Sequence, residues 1–213
     1  MKITKFGHSC LLVEEKKARF LIDPGSYSNG FENLINLDVI LYTHEHSDHV
    51  NLDSLSKLLA NNPTVQIRTN AGVGKLLASK NIQFKLLTHD QSEEFKGVKI
   101  QAIGEHHAQI HESIKCVDNT GYLIASKFFY PGDFLTVPDE KVEILALPIE
   151  APWLKLGDAI NYVSKIKPKT CFAVHDARLN ENGLKANVNI ASMALVNSNI
   201  KVEVLEKGKT YEF

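Results

Sequence analysis

The segment Tyr42-Thr43-His44-Glu45-His46-Ser47-Asp48-His49 restricts the fold more than any other part of the chain. It sets four potential metal-binding side chains, His44, His46, Asp48 and His49, within six residues. Directly before it, Asp38-Val39-Ile40-Leu41-Tyr42 is a near-continuous apolar run suited to a strand buried on both faces. Directly after it, Leu52, Leu55, Leu58 and Leu59 recur at helical spacing, with Asn51 placed to cap the helix and Pro63 beyond its end. The cluster therefore sits where a buried strand leaves its sheet and turns into a helix. His44 and His46 are two apart in extended chain, so both imidazoles point the same way. Neutral imidazoles with a carboxylate suit zinc and tolerate manganese or iron. The competing reading is a polar loop whose histidines merely cap the helix. It does not account for so many imidazoles, which would repel one another when protonated.

The remaining chain alternates short apolar runs with polar turns. Runs at 2–6, 10–14 and 18–22 read as strands separated by Gly7-His8-Ser9 and Glu15-Lys16-Lys17, and Asp23-Pro24-Gly25 ends the third. Further strands are expected at 65–69, 84–87, 98–103, 142–148 and 170–174, with a paired hairpin over 121–132. Helices are expected over 71–79, 158–166 and 184–196, the first capped by Asn70, and 201–213 reads as a closing hairpin turning at Lys207-Gly208. No short-period repeat occurs, and two sheets covered by outer helices fit this order better than one doubly wound sheet. With 213 residues and no Pro/Gly/Ser-rich linker, one domain over 1–213 is expected.

One loop of six residues does not saturate a two-metal site, so further ligands are expected at other strand ends. His106 and His107 follow the strand at 98–103, Asp133 follows Tyr130-Pro131-Gly132, and His175 follows the strand at 170–174. Neighbours on a strand face opposite sides, so only one of His106 and His107 can be a ligand. Asp23 is placed to accept a hydrogen bond from the histidine loop and orient a ligand. His8 could reach the site mouth, His111 could line the pocket, and His89 reads as an exposed loop residue. Trp153 and Lys155 share the loop after the strand at 142–148, where a lysine beside an aromatic could hold an anionic substrate group. Glu150 lies in the same loop.

The formal net charge of −1 weighs against a nucleic-acid partner. The N-terminus lacks the pattern of a signal peptide, and no apolar stretch approaches the roughly 20 residues of a membrane span. Cys10, Cys116 and Cys171 are odd in number and widely spaced, which points to a reducing, cytoplasmic compartment and to small buried hydrophobes rather than disulfides.

His-Ser-Asp-His within His44–His49, the later histidine, Gly132-Asp133 and the final histidine, in that order, resemble the metallo-β-lactamase superfamily. The segments GEHHAQIHESI, NTGYLI, PGD and APWLKLGDAI are similar to a branch of small prokaryotic metal-dependent hydrolases related to ascorbate-6-phosphate lactonase. The resemblance implies an α+β, four-layer αββα sandwich with its site at one edge between the sheets. It implies two divalent ions, with zinc expected and manganese or iron as alternatives. One ion would take His44, His46 and His107, the other Asp48, His49 and His175, with Asp133 between them. His107 is chosen over His106 because that branch places its ligand directly before an alanine, here Ala108.

The activity so implied is metal-dependent hydrolysis of a small ester-like substrate, a phosphodiester or a lactone, by a hydroxide held between two metals and aimed by Asp48. A nuclease of the same superfamily, a redox iron enzyme on the same scaffold and a non-catalytic metal-binding protein are the alternatives. The expected partner is a small molecule, with neither nucleic acid nor membrane, and a neighbouring copy of the chain could complete the pocket.

Overall fold

In the computed structural model, which describes residues 1–198 and 200–213, two seven-stranded sheets lie face to face. The first sheet comprises β1 (Lys2–Lys5), β2 (Leu11–Glu15), β3 (Ala18–Ile22), β4 (Val39–Leu41), β5 (Gln66–Thr69) and β6 (Lys85–Leu86). The second comprises β7 (Ser92–Phe95), β8 (Val98–Ile103), β9 (Gly121–Ile124), β10 (Phe128–Tyr130), β11 (Ile144–Pro148), β12 (Thr170–Val174) and β13 (Lys201–Glu203). The last strand, β14 (Thr210–Glu212), returns to the first sheet beside β1. Each sheet is antiparallel in one half and parallel in the other. β14 through β3 pair antiparallel and β3 through β6 parallel, while β13 through β10 pair parallel and β10 through β7 antiparallel.

Period-two alternation decides which side chains face which layer. In β4, Val39 and Leu41 point into the core between the sheets, while Ile40 points outward onto α1 (Leu52–Asn61) and α2 (Ala71–Ala78). In β11, Ile144 and Ala146 face the inter-sheet core, while Leu145 and Leu147 pack under α3 (Leu156–Ile166) and α4 (Glu181–Ala194). The result is the expected αββα sandwich, and the unbroken apolar runs of β4 and β11 follow from burial on both faces. Among the described residues, no helix is long and apolar enough to cross a membrane.

Local chemistry starts the helices. Asn51 Oδ1 accepts from the Asp53 and Ser54 amides, Asn70 Oδ1 from Val73, and Asn180 Oδ1 from Gly183. The last two helices begin before their expected starts. α3 begins at Leu156 behind Lys155, whose side chain makes no capping bond, and α4 begins at Glu181 in a polar first turn without apolar periodicity.

The closing hairpin is corrected. β13 pairs parallel with β12 in the second sheet, and β14 pairs antiparallel with β1 in the first, so 201–213 ties the two sheets together. A strand was also missed. β7 reads Ser-Glu-Glu-Phe, too charged to look like a strand, because it is an edge. Its Glu93 takes both Arg68 of β5 and Lys85 of β6, joining the open edges of the sheets.

The hairpin between β9 and β10 turns through Ala125 and Ser126, both left-handed at φ 55° and 52°. This geometry matches the twist of the strands but favours glycine or asparagine. Ser126→Gly is expected to stabilise the protein by roughly 0.5–1 kcal/mol by relieving the left-handed strain. Thermal melting should show a rise of roughly 1–4 °C, and an unchanged or lowered midpoint would contradict it.

Candidate metal centre

β3, β4, β8, β10 and β12 end at one edge of the sandwich, and each is followed by a chemically active residue: Asp23, the 43–49 loop, His107, Asp133 and His175. The two sheets are joined at that edge, where Thr43 O accepts from the Thr120 amide and from Asn70 Nδ2. Close packing fixes the loops. A Cβ on Gly25 would lie 1.8 Å from Asp48 O, so the Asp23-Pro24-Gly25 turn rests directly on the histidine loop, and the Ser26 amide bonds Ser47 O at 2.8 Å. Gly132 has φ 66°, and a Cβ there would meet Asn119 Oδ1 at 2.3 Å, the same atom that accepts the Asp133 amide.

Four histidines share one orientation. Nδ1 of His49 bonds Asp23 Oδ2 (2.7 Å), Nδ1 of His107 bonds Ala108 O (2.6 Å), Nδ1 of His175 bonds Glu150 O (2.5 Å), and Nδ1 of His44 bonds Thr43 Oγ1 (3.0 Å). With Nδ1 donating, a neutral ring presents Nε2 as its lone pair, and all four Nε2 atoms are buried without a hydrogen-bond partner among the described residues. Asp133 Oδ1 shares that condition. Orphaned buried acceptors facing one another are costly unless a cation satisfies them, so this donor set fits divalent metal.

The donors form two groups. The rings of His44, His46 and His107 make a near-equilateral triangle, with centroids 4.7, 4.8 and 4.9 Å apart. Beside it, Asp48 Oδ2 lies 3.6 Å from His175 Nε2 and 3.8 Å from His49 Nε2. Asp133 touches both groups, with Oδ2 3.4 Å from His107 Nε2 and 3.1 Å from His175 Nε2, and Oδ1 3.3 Å from His49 Nε2.

The electrostatics follow. Burial, with His49 next, holds His44 well below the usual imidazole range, and burial and His107 lower His46. Burial also pulls on His49, but Asp133 and Asp23 outweigh it and raise that ring well above its ordinary value. His175 is likewise raised by Asp133 against the effect of burial. Burial would raise Asp133 and Asp48, yet both are lowered, Asp133 by His49 and His175, Asp48 by its hydrogen bond from His8 and by His49. The carboxylates thus create a demand for positive charge in the middle of the cluster, which a proton on His49 or His175 meets and which a cation meets in its place.

Behind these groups stands Asp23, fully buried at φ 45°. It accepts from His49 Nδ1, from the Thr43 amide (2.8 Å) and from Thr43 Oγ1 (2.6 Å), and Thr43 Oγ1 in turn takes His44 Nδ1. One carboxylate therefore orients a histidine of each group. His8 is not at the site mouth but fully buried. Its Nδ1 accepts the Ala177 amide, which leaves Nε2–H to donate to Asp48 Oδ2 at 3.2 Å, so it holds Asp48 rather than offering a lone pair.

His107 lies within the cluster, while the exposed His106 forms a backbone β-bridge with Asp118 and lines a separate cavity of about 180 Å³ with Glu105 and the exposed His89. Trp153 Nε1 donates to Asp133 Oδ2 at 3.0 Å and its ring lies 6.0 Å from His107. Three expectations are corrected. Lys155 is exposed at the start of α3 and does not line the cleft over the cluster, because α3 begins directly after it. His111 is exposed, its Nδ1 held by Ser113 in its own loop. Cys116 is exposed, donating to His107 O at 2.9 Å, whereas Cys10 and Cys171 are buried, the latter pushed up to about 12 by burial.

The cleft over the cluster measures about 230 Å³, and its lining includes Pro152 before Trp153, as well as Tyr27, Ile110 and Arg178, which sequence reasoning did not single out. Arg178 lies three residues beyond His175 in the same strand-end loop, which was the one available signal.

The family model described as a beta-lactamase superfamily domain matches residues 2–175. The chain belongs to the metallo-β-lactamase superfamily. It is 36% identical over 186 residues to the Mycobacterium tuberculosis protein Rv0786c, covering 83% of this chain and 84% of that protein. A UPF0173 metal-dependent hydrolase of Flavobacterium johnsoniae is 26% identical over 167 residues, 74% of this chain and 73% of that one. Among solved structures, Igni18, a metallo hydrolase of the hyperthermophilic archaeon Ignicoccus hospitalis, superposes with a TM-score of 0.76 at 21% identity, covering 100% of this chain and 98% of that one. That likeness is one of fold.

Proposed function

We propose that this metal-dependent hydrolase of the metallo-β-lactamase superfamily holds two divalent ions, zinc first among them, and cleaves a small phosphodiester or lactone. The observation that carries the reading is the shared orientation of four histidines, each with Nδ1 engaged and Nε2 bare, around Asp133. His44, His46 and His107 would hold one ion and Asp48, His49 and His175 the other, with Asp133 in reach of both. When bound, the ions supply a water acidic enough to ionise near neutral pH and a Lewis acid for the scissile carbonyl or phosphoryl oxygen.

The protein's own groups supply position and proton handling. Asp48 is the more exposed of the two cluster carboxylates and lines the cleft, which suits it to accept a hydrogen bond from the attacking water. His8 holds that carboxylate from behind, and the Trp153 indole holds Asp133. The buried imidazoles of His44 and His49 keep bulk water from the inner side of the site. Among the described residues that line the cleft, one is a lysine or arginine, which favours a small molecule over a nucleic-acid strand.

Metal analysis of the purified protein, with hydrolysis of bis-4-nitrophenyl phosphate and a lactone panel, tests this reading. Asp48→Ala is expected to lower kcat by about a hundredfold or more. Metal-free protein recovered from metal-replete growth, or an Asp48→Ala enzyme with full activity, would count against it.

A further inference from the structure

We propose that Arg178 is the specificity-determining residue of the cleft and recognises a carboxylate or phosphate that the substrate carries away from its scissile bond. The proposal rests on the hydrolytic reading of the metal centre for what happens to the substrate, but not for the anion recognition itself.

Arg178 lines the same cleft as Asp48, Asp133 and His175, and its side chain is 49% exposed. Its carboxylate neighbour is Glu150, whose Oε2 lies 3.8 Å from Nε, beyond hydrogen-bond length. The same Glu150 oxygen is buried without a hydrogen-bond partner among the described residues. The guanidinium is therefore held near the cleft by an ion pair with Glu150 that is too long for a hydrogen bond, and its planar fork suits a two-oxygen anion.

The backbone beneath it is held firmly. The His175 amide bonds His8 O (2.8 Å), the Ala177 amide bonds His8 Nδ1 (3.1 Å), and the Leu179 amide bonds Asp176 O (3.0 Å). Asp176 is locked to the buried Lys5 at 2.5 Å. His8 thus fixes both Asp48 and the loop that presents Arg178, so the spacing between the reacting end of the cleft and its cationic end is built in. Glu150 ties the same two ends, since its backbone oxygen orients the His175 ring while its side chain faces Arg178.

The remaining walls narrow the ligand further. Tyr27, Ile110 and Trp153 give apolar and aromatic surface, and a cleft of about 230 Å³ admits a small molecule only. The chemistry recognised is a compact ester or lactone with an apolar body and one anionic end.

Two readouts test this. The first is the ratio of kcat/KM for mono-4-nitrophenyl succinate to that for neutral 4-nitrophenyl pentanoate, measured on the zinc-loaded enzyme. A wild-type ratio of about ten or more is expected, falling towards one in Arg178→Gln chiefly through KM, intermediate in Arg178→Lys, and unchanged in Lys155→Gln. The second needs no turnover. Trp153 is the single tryptophan and lies in the cleft, so its fluorescence reports binding of succinate or inorganic phosphate to zinc-loaded and to chelator-treated protein. Arg178→Gln is expected to weaken that binding at least fivefold, and the tighter of the two anions identifies the group recognised. Unchanged anion affinity in Arg178→Gln overturns the proposal, even if every ester is hydrolysed. Arg178-dependent anion binding without hydrolysis by any metal-loaded form supports the anion recognition and overturns the hydrolytic reading instead.

Discussion

Asp133→Ala is expected to abolish hydrolysis to within about a thousandth of the wild-type rate, a loss of ~4 kcal/mol in transition-state stabilisation. The reason is its reach. Its two oxygens lie within 3.1–3.4 Å of the bare Nε2 atoms of His49, His107 and His175, so one substitution disturbs both groups of donors. Removing it also leaves several imidazoles facing one another with less negative charge between them, which weakens cation binding further. Metal content after gel filtration should fall from about two ions per chain towards one or none. A paired comparison sharpens the test: His107→Ala should lose metal and activity, while His106→Ala, one residue away and exposed beside Asp118, should lose neither. Equal metal content in Asp133→Ala and the wild type would remove Asp133 from the centre.

The second large effect is expected at a residue that touches no substrate. Asp23→Ala strips the partner from His49 Nδ1, from the Thr43 amide and from Thr43 Oγ1, all in a site shielded from water. Leaving buried donors unpaired should cost about 3–5 kcal/mol of stability, or roughly 6–20 °C in Tm for a chain of this length. Because His44 is held through Thr43 Oγ1, both groups of metal donors lose their orientation, and metal affinity should fall by about 10–100-fold. Asp23→Asn separates packing from orientation. It keeps the volume but replaces one acceptor oxygen by a donor, so it should melt closer to the wild type while still losing metal affinity. Unaltered zinc affinity in Asp23→Asn, measured by competition with a chromogenic chelator, would show that Asp23 serves the fold alone.

Much of this centre was legible along the chain because metal sites draw on strand ends, and strand ends can be read from apolar runs. The run 38–42 announced a strand buried on both faces, and the loop after it had to emerge at a sheet edge. Asp133 and His175 stood out for the same reason. What lay beyond reach were features set by pairing at a distance. The charged β7 looks like a loop until Arg68 of the other sheet is seen to pair with Glu93. The segment 201–213 has the pattern of a hairpin, yet its two strands enter different sheets, since a period-two pattern fixes which face a residue takes but not which neighbour it finds. Lys155 was the expected anion-binding group on the strength of its neighbour Trp153, but the start of α3 leaves it outside the cleft, while the rigid turn after β12 brings Arg178 in.

By itself, the sequence determined the residue types, their density and the strands that precede them, and hence a metal centre at the edge of a helix-covered sandwich. Those properties are local, written in spacing and burial pattern. Only the tertiary structure decided that one buried carboxylate, Asp23, orients both groups of histidines, that His8 holds Asp48, and that Arg178 shares the cleft. Each of these joins residues from separate loops, and directional hydrogen bonds between loops depend on how the two sheets meet rather than on the order of residues along either one.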